Sequence, residues 1–259
     1  MTNSTNSYFT PFNQVIELST LPFKFTYPFD YTPHPLCLLA AKQLQEYLTT
    51  QQDFEHNFGL DKTQEGMVIG KMFGVLVVQT QENELGYLAA FSGKLAGANQ
   101  HIKFVPPVYD GLVEGNFINL GMLELSRINE EIKTLEEQNT TESNLKITEL
   151  KTLRKANSIA LQDQIFDQYF FINQSGEEKG LREIFNKPPS GAGECAAPKL
   201  LQYAFLNKLK PIAMAEFWWG QSPKSDYWKH GHFYPACKEK CEPILAHMLK
   251  DIEMDGKPF

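Results

Sequence analysis

The period of apolar positions along this chain changes several times, and each change marks an element. In HPLCLLAAKQLQEYLTTQ, Leu36, Leu39, Ala40, Leu44, Tyr47 and Leu48 recur at helical spacing. Val75–Val78 and Tyr87–Phe91 are short β-prone runs, apolar on both faces and joined through QENE. They predict a β-hairpin covered by helices on both sides. From Met122 the period lengthens: Leu125, Ile128, Ile132 and Leu135 step 3-4-3, a coiled-coil-like seam. Asn139–Asn144 reads as a polar turn, with Asn139 and Glu142 spaced to cap a second helix. That helix carries Leu150, Leu153, Leu161 and Ile165 on its apolar side.

Beyond it, QSGEEKG and KPPSGAGE read as loops around a short LREIF element. AAPKLLQYAFLNKL predicts a helix with Pro198 in its first turn, where proline is tolerated. KPIAMAEFWWG predicts a strand ended by Gly220, and QSPKSDYWKHGHFYP a long loop. ACKEKCEPILAHMLKDI predicts a closing helix that Pro243 kinks or restarts. Pro22, Pro28, Pro33 and Pro35 exclude a long regular element near the start. The fold class expected is α/β (α+β): an extended arm over 1–35, a small three-layer core from 36–121 and 176–259, and an inserted helical hairpin over 122–175. No internal repeat is visible.

Composition narrows the class. A chain of 259 residues buries a core without metal or disulfide staples. No apolar run is long enough for a membrane helix, and MTNSTNSYFTPFNQ lacks a secretory signal pattern. Four scattered cysteines do not form a disulfide framework, so a cytoplasmic protein with reduced thiols and no membrane partner is expected. The net charge of −7 argues against a general nucleic-acid coat. The charge is uneven, though. Leu181–Lys250 holds ten Lys/Arg against six Asp/Glu, whereas Met1–Gly121 holds six against eleven. An anionic partner would meet the C-terminal part; ordinary surface is the competing reading. Residues 122–155 mix seven acidic with six basic residues, the pattern of a salt-bridged helix surface around Arg127, Arg154 and Lys155.

The densest chemistry lies in HGHFYPACKEKC, where His230, His232, Cys237 and Cys241 share twelve residues. Cysteines four apart on a helix share a face and can grip one ion. Cys195 stands where a helix begins, a position that favours the thiolate. Cys195, Cys237, Cys241 and one of His230 or His232 would complete a four-ligand structural zinc site. Against this, a free cysteine is often a small core residue, as expected for Cys37 in its apolar helix and open for Cys195. His34, His56, His101 and His247 read as surface or capping residues. Trp218, Trp219 and Trp228 either stack on bases or close a core. The glycine loop PPSGAGEC before a helix suits an anion but lacks the Lys-Ser/Thr of a P-loop.

Cys195–Ala197 and PACKEKC, separated by PIAMAEFWW, resemble zinc-dependent nucleoside deaminases, with a first ligand at one helix start and a cysteine pair at the next. The resemblance implies a deaminase-like core. It departs where catalysis needs a Glu: that position is Ala197, and the cysteine motif carries one extra residue before and one within the pair. No deaminase activity is expected unless Glu216 or Glu194 supplies the carboxylate.

A longer resemblance spans roughly residues 20 to 250. GAGECAAPKLLQYAFLNKLKPIAMAEFWWG and KHGHFYPACKEKCEPILAHML look like the N-terminal region of some bacterial RluA-type RNA pseudouridine synthases. HPLCLLAAKQLQEYL, GKMFGVLVV, LGYLAAFSGKL, FVPPVYD and LQDQIFDQYFFIN look like it too. In that family the isomerase chemistry belongs to a C-terminal domain with an Arg-Leu-Asp stretch. This sequence contains no such stretch and stops about where that domain would begin. GLDKTQEG lacks the Arg, so Asp61 is not carried over as nucleophile. The resemblance implies a non-catalytic accessory module, binding or orienting tRNA or ribosomal RNA. The alternatives are an inactive zinc-binding deaminase-like domain, or an interaction scaffold whose hairpin serves as a dimer arm.

Overall fold

The computed structural model describes residues 7–138 and 140–256. The chain is mixed α and β and forms two compact units, residues 1–108 with 170–259, and residues 109–169. In chain order the first unit holds β1 (Thr10–Pro11), α1 (Pro35–Thr50), β2 (Lys71–Gln79) and β3 (Leu85–Phe91). After the second unit come β4 (Phe170–Ile172), β5 (Glu178–Gly180), α4 (Leu181–Ile184), α5 (Ala196–Leu206), β6 (Lys210–Trp219), β7 (Phe233–Tyr234) and α6 (Lys238–Met248). The second unit holds two long helices, α2 (Phe117–Gln138) and α3 (Thr141–Phe166). The unit boundaries thus fall at 109 and 169, where the sequence reading placed them at 122 and 175.

The main sheet has strand order β1-β3-β2-β6-β7, and every pair is antiparallel. Alternation along β2 builds two apolar faces. Phe73, Val75 and Val77 share one face with Ala213, Ala215, Phe217 and the buried side of α1, including Cys37, Ala40 and Leu44. Gly74 faces the other way, towards α5. A β-carbon there would stand 2.9 Å from Ala196 Cβ and 3.1 Å from Leu200 Cδ1. The missing side chain is what lets the start of α5 settle on the sheet. The ladder shifts register between Val77 and Val78, opposite Ala213 and Pro211. Pro211 has no N–H for the ladder, and a bulge is where a strand accommodates it.

β2, β3, α1, α5 and β6 match the sequence reading closely. Gly220 ends β6 with φ +94°, a conformation that suits glycine. α6 runs through Pro243 without restarting, and presents Cys241, Ile244, Leu245 and Met248 at core spacing. Cys37 is fully buried, as expected of core filling. His34 caps α1, its Nδ1 accepting from Leu36 N at 3.2 Å. His247, expected at the surface, is buried against the Phe171 carbonyl at 2.9 Å. β5 falls within QSGEEKG, a segment expected to be loop; among the described residues it pairs with β4 alone.

In the second unit Ile128, Ile132, Ile147 and Leu150 form the seam between α2 and α3, with Leu135 against it. Leu153, placed on that seam by spacing, is exposed. The cap of α3 is Thr140, which exchanges hydrogen bonds with Ser143. Asn139 lies outside the described residues. The polar face is salt-bridged as its mixed charge predicts: Arg127 pairs with Glu124 and Glu131, and Lys151 crosses to Glu136.

Candidate functional site

Two helix starts and one buried strand residue assemble the candidate site. Cys195 is the N-cap of α5 and Cys237 the N-cap of α6. A helix start leaves backbone N–H groups without intrahelical partners, and these favour negative charge. At α6, the backbone N–H groups of Glu239 and Lys240 favour the Cys237 thiolate. At α5, Ala196 N donates to Ser92 Oγ at 3.2 Å and Ala197 N to the Glu216 carboxyl. Glu216 is 4% exposed, on β6 opposite Gly74 of β2 and Tyr234 of β7.

The three sulfurs converge. Cys241, one turn into α6 and fully buried, has the side chains of Cys195 and Cys237 as neighbours. Cys237 is exposed and Cys195 half-buried, so the trio runs from solvent into the core. The Cys237 thiol is pushed down to about 5, first by the hydrogen bond from Cys241 and then by the two backbone donors and the Lys240 charge. The Cys241 thiol is pushed up, by its two sulfur partners and by burial. The pair is thus polarised, with thiolate outside and thiol inside. Burial pushes the Glu216 carboxyl up to about 8, against the pull of Ala197 N.

Lys199 lies one turn into α5 and is 2% exposed. Its ammonium donates to the carbonyls of Phe91 and Gly93, both at 3.1 Å, and stands 3.8 Å from Glu194 Oε2. Burial lowers its pKa, while Glu194 and Cys195 oppose that shift. These bonds fix the start of α5 to the end of β3. They also direct Glu194 to Lys199. Lys240 reaches the PSGAG turn; its Nζ is 3.6 Å from where a β-carbon on Gly191 would stand. Tyr31, from the N-terminal arm, links the other side: its hydroxyl accepts from Glu216 N and donates to Tyr234 O, both at 2.8 Å.

The His230 ring is engaged at the end of β6. His230 Nδ1 accepts from Gly220 N at 3.0 Å and its ring lies 4.3 Å from that of Trp219. Burial lowers its pKa and so favours this accepting, neutral ring. Gly220 is four residues along the chain from Glu216, on the order of 10 Å in extended backbone. His232 is exposed, its backbone held between Trp218 and Lys229. Among the described residues no group of three or more His, Cys, Asp or Glu side chains is arranged to hold a metal ion. Of the residues expected to bind zinc, the three cysteines lie together, and the His230 ring is engaged by Gly220 N and Trp219. What the cysteines form is a polarised thiol cluster beside a protonated carboxyl.

Sequence spacing pointed to the three cysteines and to Glu216, but not to Lys199, Ser92 or Tyr31. The signal for Lys199 was present: it is a lone cation on the apolar face shared by Ala196 and Leu200.

A second surface feature adjoins this site. Between β6 and β7, the Trp218 and Trp228 rings stack at 5.2 Å, and Tyr227 stands beside them 62% exposed. Tyr234 pins the loop, its hydroxyl donating to Tyr227 O and accepting from Lys229 N. Lys224 and Lys229 are exposed on the same loop. Trp219, by contrast, is buried in the core. The tandem tryptophans thus divide between closing the core and facing the loop. No family model, curated protein or solved structure matches this chain.

Proposed function

We propose that this chain is a non-catalytic accessory module of RNA modification, of the kind placed ahead of a pseudouridine synthase domain, and that it holds tRNA or ribosomal RNA for a catalytic partner. The observation that carries the reading is the loop between β6 and β7. It offers the exposed ring of Tyr227 and the half-buried ring of Trp228 beside the exposed cations Lys224 and Lys229. Aromatic rings accept stacked bases, and adjacent lysines meet the backbone phosphates. The local excess of Lys and Arg over Leu181–Lys250 supports the same face, despite a net negative chain.

The finer architectural reading is a deaminase-like core without hydrolytic function. It is supported by Cys195 and Cys237 opening the two helices that flank β6 in sequence. Ala197 offers only a methyl group where a proton shuttle would stand, and Glu216 lies protonated against Ala197 N.

The test is binding of the purified chain to unmodified tRNA and to ribosomal RNA fragments by fluorescence anisotropy. With two phosphate contacts, affinity falls roughly tenfold between 50 and 200 mM salt. Trp228→Ala loses roughly a further tenfold, the scale of one stacked base. Lys224→Glu with Lys229→Glu flattens the salt dependence. Salt-insensitive binding, or affinity unchanged by all three substitutions, overturns the reading.

A further inference from the structure

We infer that Cys237 and Cys241 form an oxidisable dithiol that closes to a disulfide on reaction with a hydroperoxide, with Cys195 the other sulfur beside Cys241. Three observations carry this. Cys237 is the exposed member of the cluster and the N-cap of α6, within reach of an oxidant from solvent. Cys241 N donates to Cys237 O at 3.0 Å, so the two cysteines are joined by a regular helical turn. That turn sets their α-carbons about 6 Å apart, inside the span a disulfide bridges. The Cys241 sulfur has Cys237 as a neighbour, one exposed and one buried end of the same turn.

The chemistry balances without a cofactor. The Cys237 thiolate attacks one oxygen of the hydroperoxide, the O–O bond breaks, and the alkoxide or hydroxide leaves as alcohol or water on taking up a proton. Cys237 is then a sulfenic acid. The Cys241 sulfur attacks it, the S–O bond breaks, and the hydroxyl departs as water with the Cys241 proton. Two thiols and one hydroperoxide give one disulfide, one alcohol or water, and one further water. Thiol–disulfide exchange with an external dithiol reverses the state. Cys195 is half-buried at the start of the neighbouring helix, whereas Cys237 is exposed and shares a helical turn with Cys241. In a reducing compartment such a pair is a transient sensor, not a staple.

The test uses the full chain, reduced, freed of reductant, and treated with one equivalent of hydrogen peroxide. Expected are a mass loss of about two units, from two hydrogens, and a Cys237–Cys241 link in non-reducing peptide maps. Cys241→Ser halts the reaction at a sulfenic acid on Cys237, trapped as a dimedone adduct. Cys195→Ser still forms the link. Cys237→Ser slows oxidation at least roughly tenfold; it is a surface position, and unchanged circular dichroism shows that the fold survives. Three results would overturn the inference: a link that runs only through Cys195, direct passage of Cys237 to sulfinic acid with no link, or about one zinc per chain shielding all three thiols.

Discussion

Glu216 is the residue at which local and global demands meet. Its carboxyl is buried, and the native fold holds it protonated to about pH 8, whereas in the unfolded chain it ionises near pH 4.5. Between those values the native state keeps a proton that the unfolded state has lost, so stability falls as pH rises through this window. Denaturant titrations at pH 5.5 and pH 8 are expected to show a loss of about 1–3 kcal/mol from this group. Glu216→Gln keeps an acceptor for Ala197 N and carries no charge. That variant is expected to be flatter over the same range and more stable than the parent at pH 8. Equal pH dependence of the two proteins would refute the assignment. Sequence alone could nominate Glu216, as the acidic residue in an apolar strand. It could not give the protonation, which follows from the bareness of Gly74 and the approach of α5.

At the scale of elements, apolar period carried most of the information. α1, β2, β3, α5 and β6 were legible because each buries a face whose repeat matches its geometry. The errors have local causes. Gly121 looked like a boundary, yet it lies inside α2. A β-carbon there would stand 2.6 Å from Leu161 Cδ1, so the glycine serves helix packing, not termination. α2 therefore starts earlier, at Phe117, where Asn116 Oδ1 accepts from Ile118 N. α3 starts on Thr140 because the Thr140–Ser143 exchange satisfies both ends of its first turn. Removing that exchange with Thr140→Ala is expected to cost about 1 kcal/mol. Amide hydrogen exchange should quicken in the first turn of α3 and stay unchanged in β2 and β3, which belong to the other unit. A uniform change across both units would show that the cap is not what anchors the helix. The cysteine cluster was half legible. Four-residue spacing put Cys237 and Cys241 on one helix, but the bonds that turn His230 and His232 aside are made by backbone groups that no spacing reveals.

For the whole molecule, the consequential fact is how far apart in sequence the parts of the site lie. Arm, central strand, the starts of α5 and α6, and the aromatic loop all meet at β6. β7 joins β6 through only two residue pairs, Glu216 with Tyr234 and Phe217 with Phe233. The Tyr31 hydroxyl holds both strands at that junction. Tyr31→Phe keeps the ring and deletes the bolt, leaving a buried amide and a carbonyl unserved at a cost of about 1–3 kcal/mol. Hydrogen exchange is expected to rise across 216–236 together, with little change in β3. Exchange confined to Glu216 alone would mean that the junction holds without the hydroxyl.

One phenolic oxygen, borrowed from the far end of the chain, thus governs a span that carries both the aromatic loop and the approach to Cys237. It shares that task with the backbone bonds from Trp218 to His232 and from Ala236 to Pro28, so strain in the arm reaches β6, the aromatic loop and the start of α6 together.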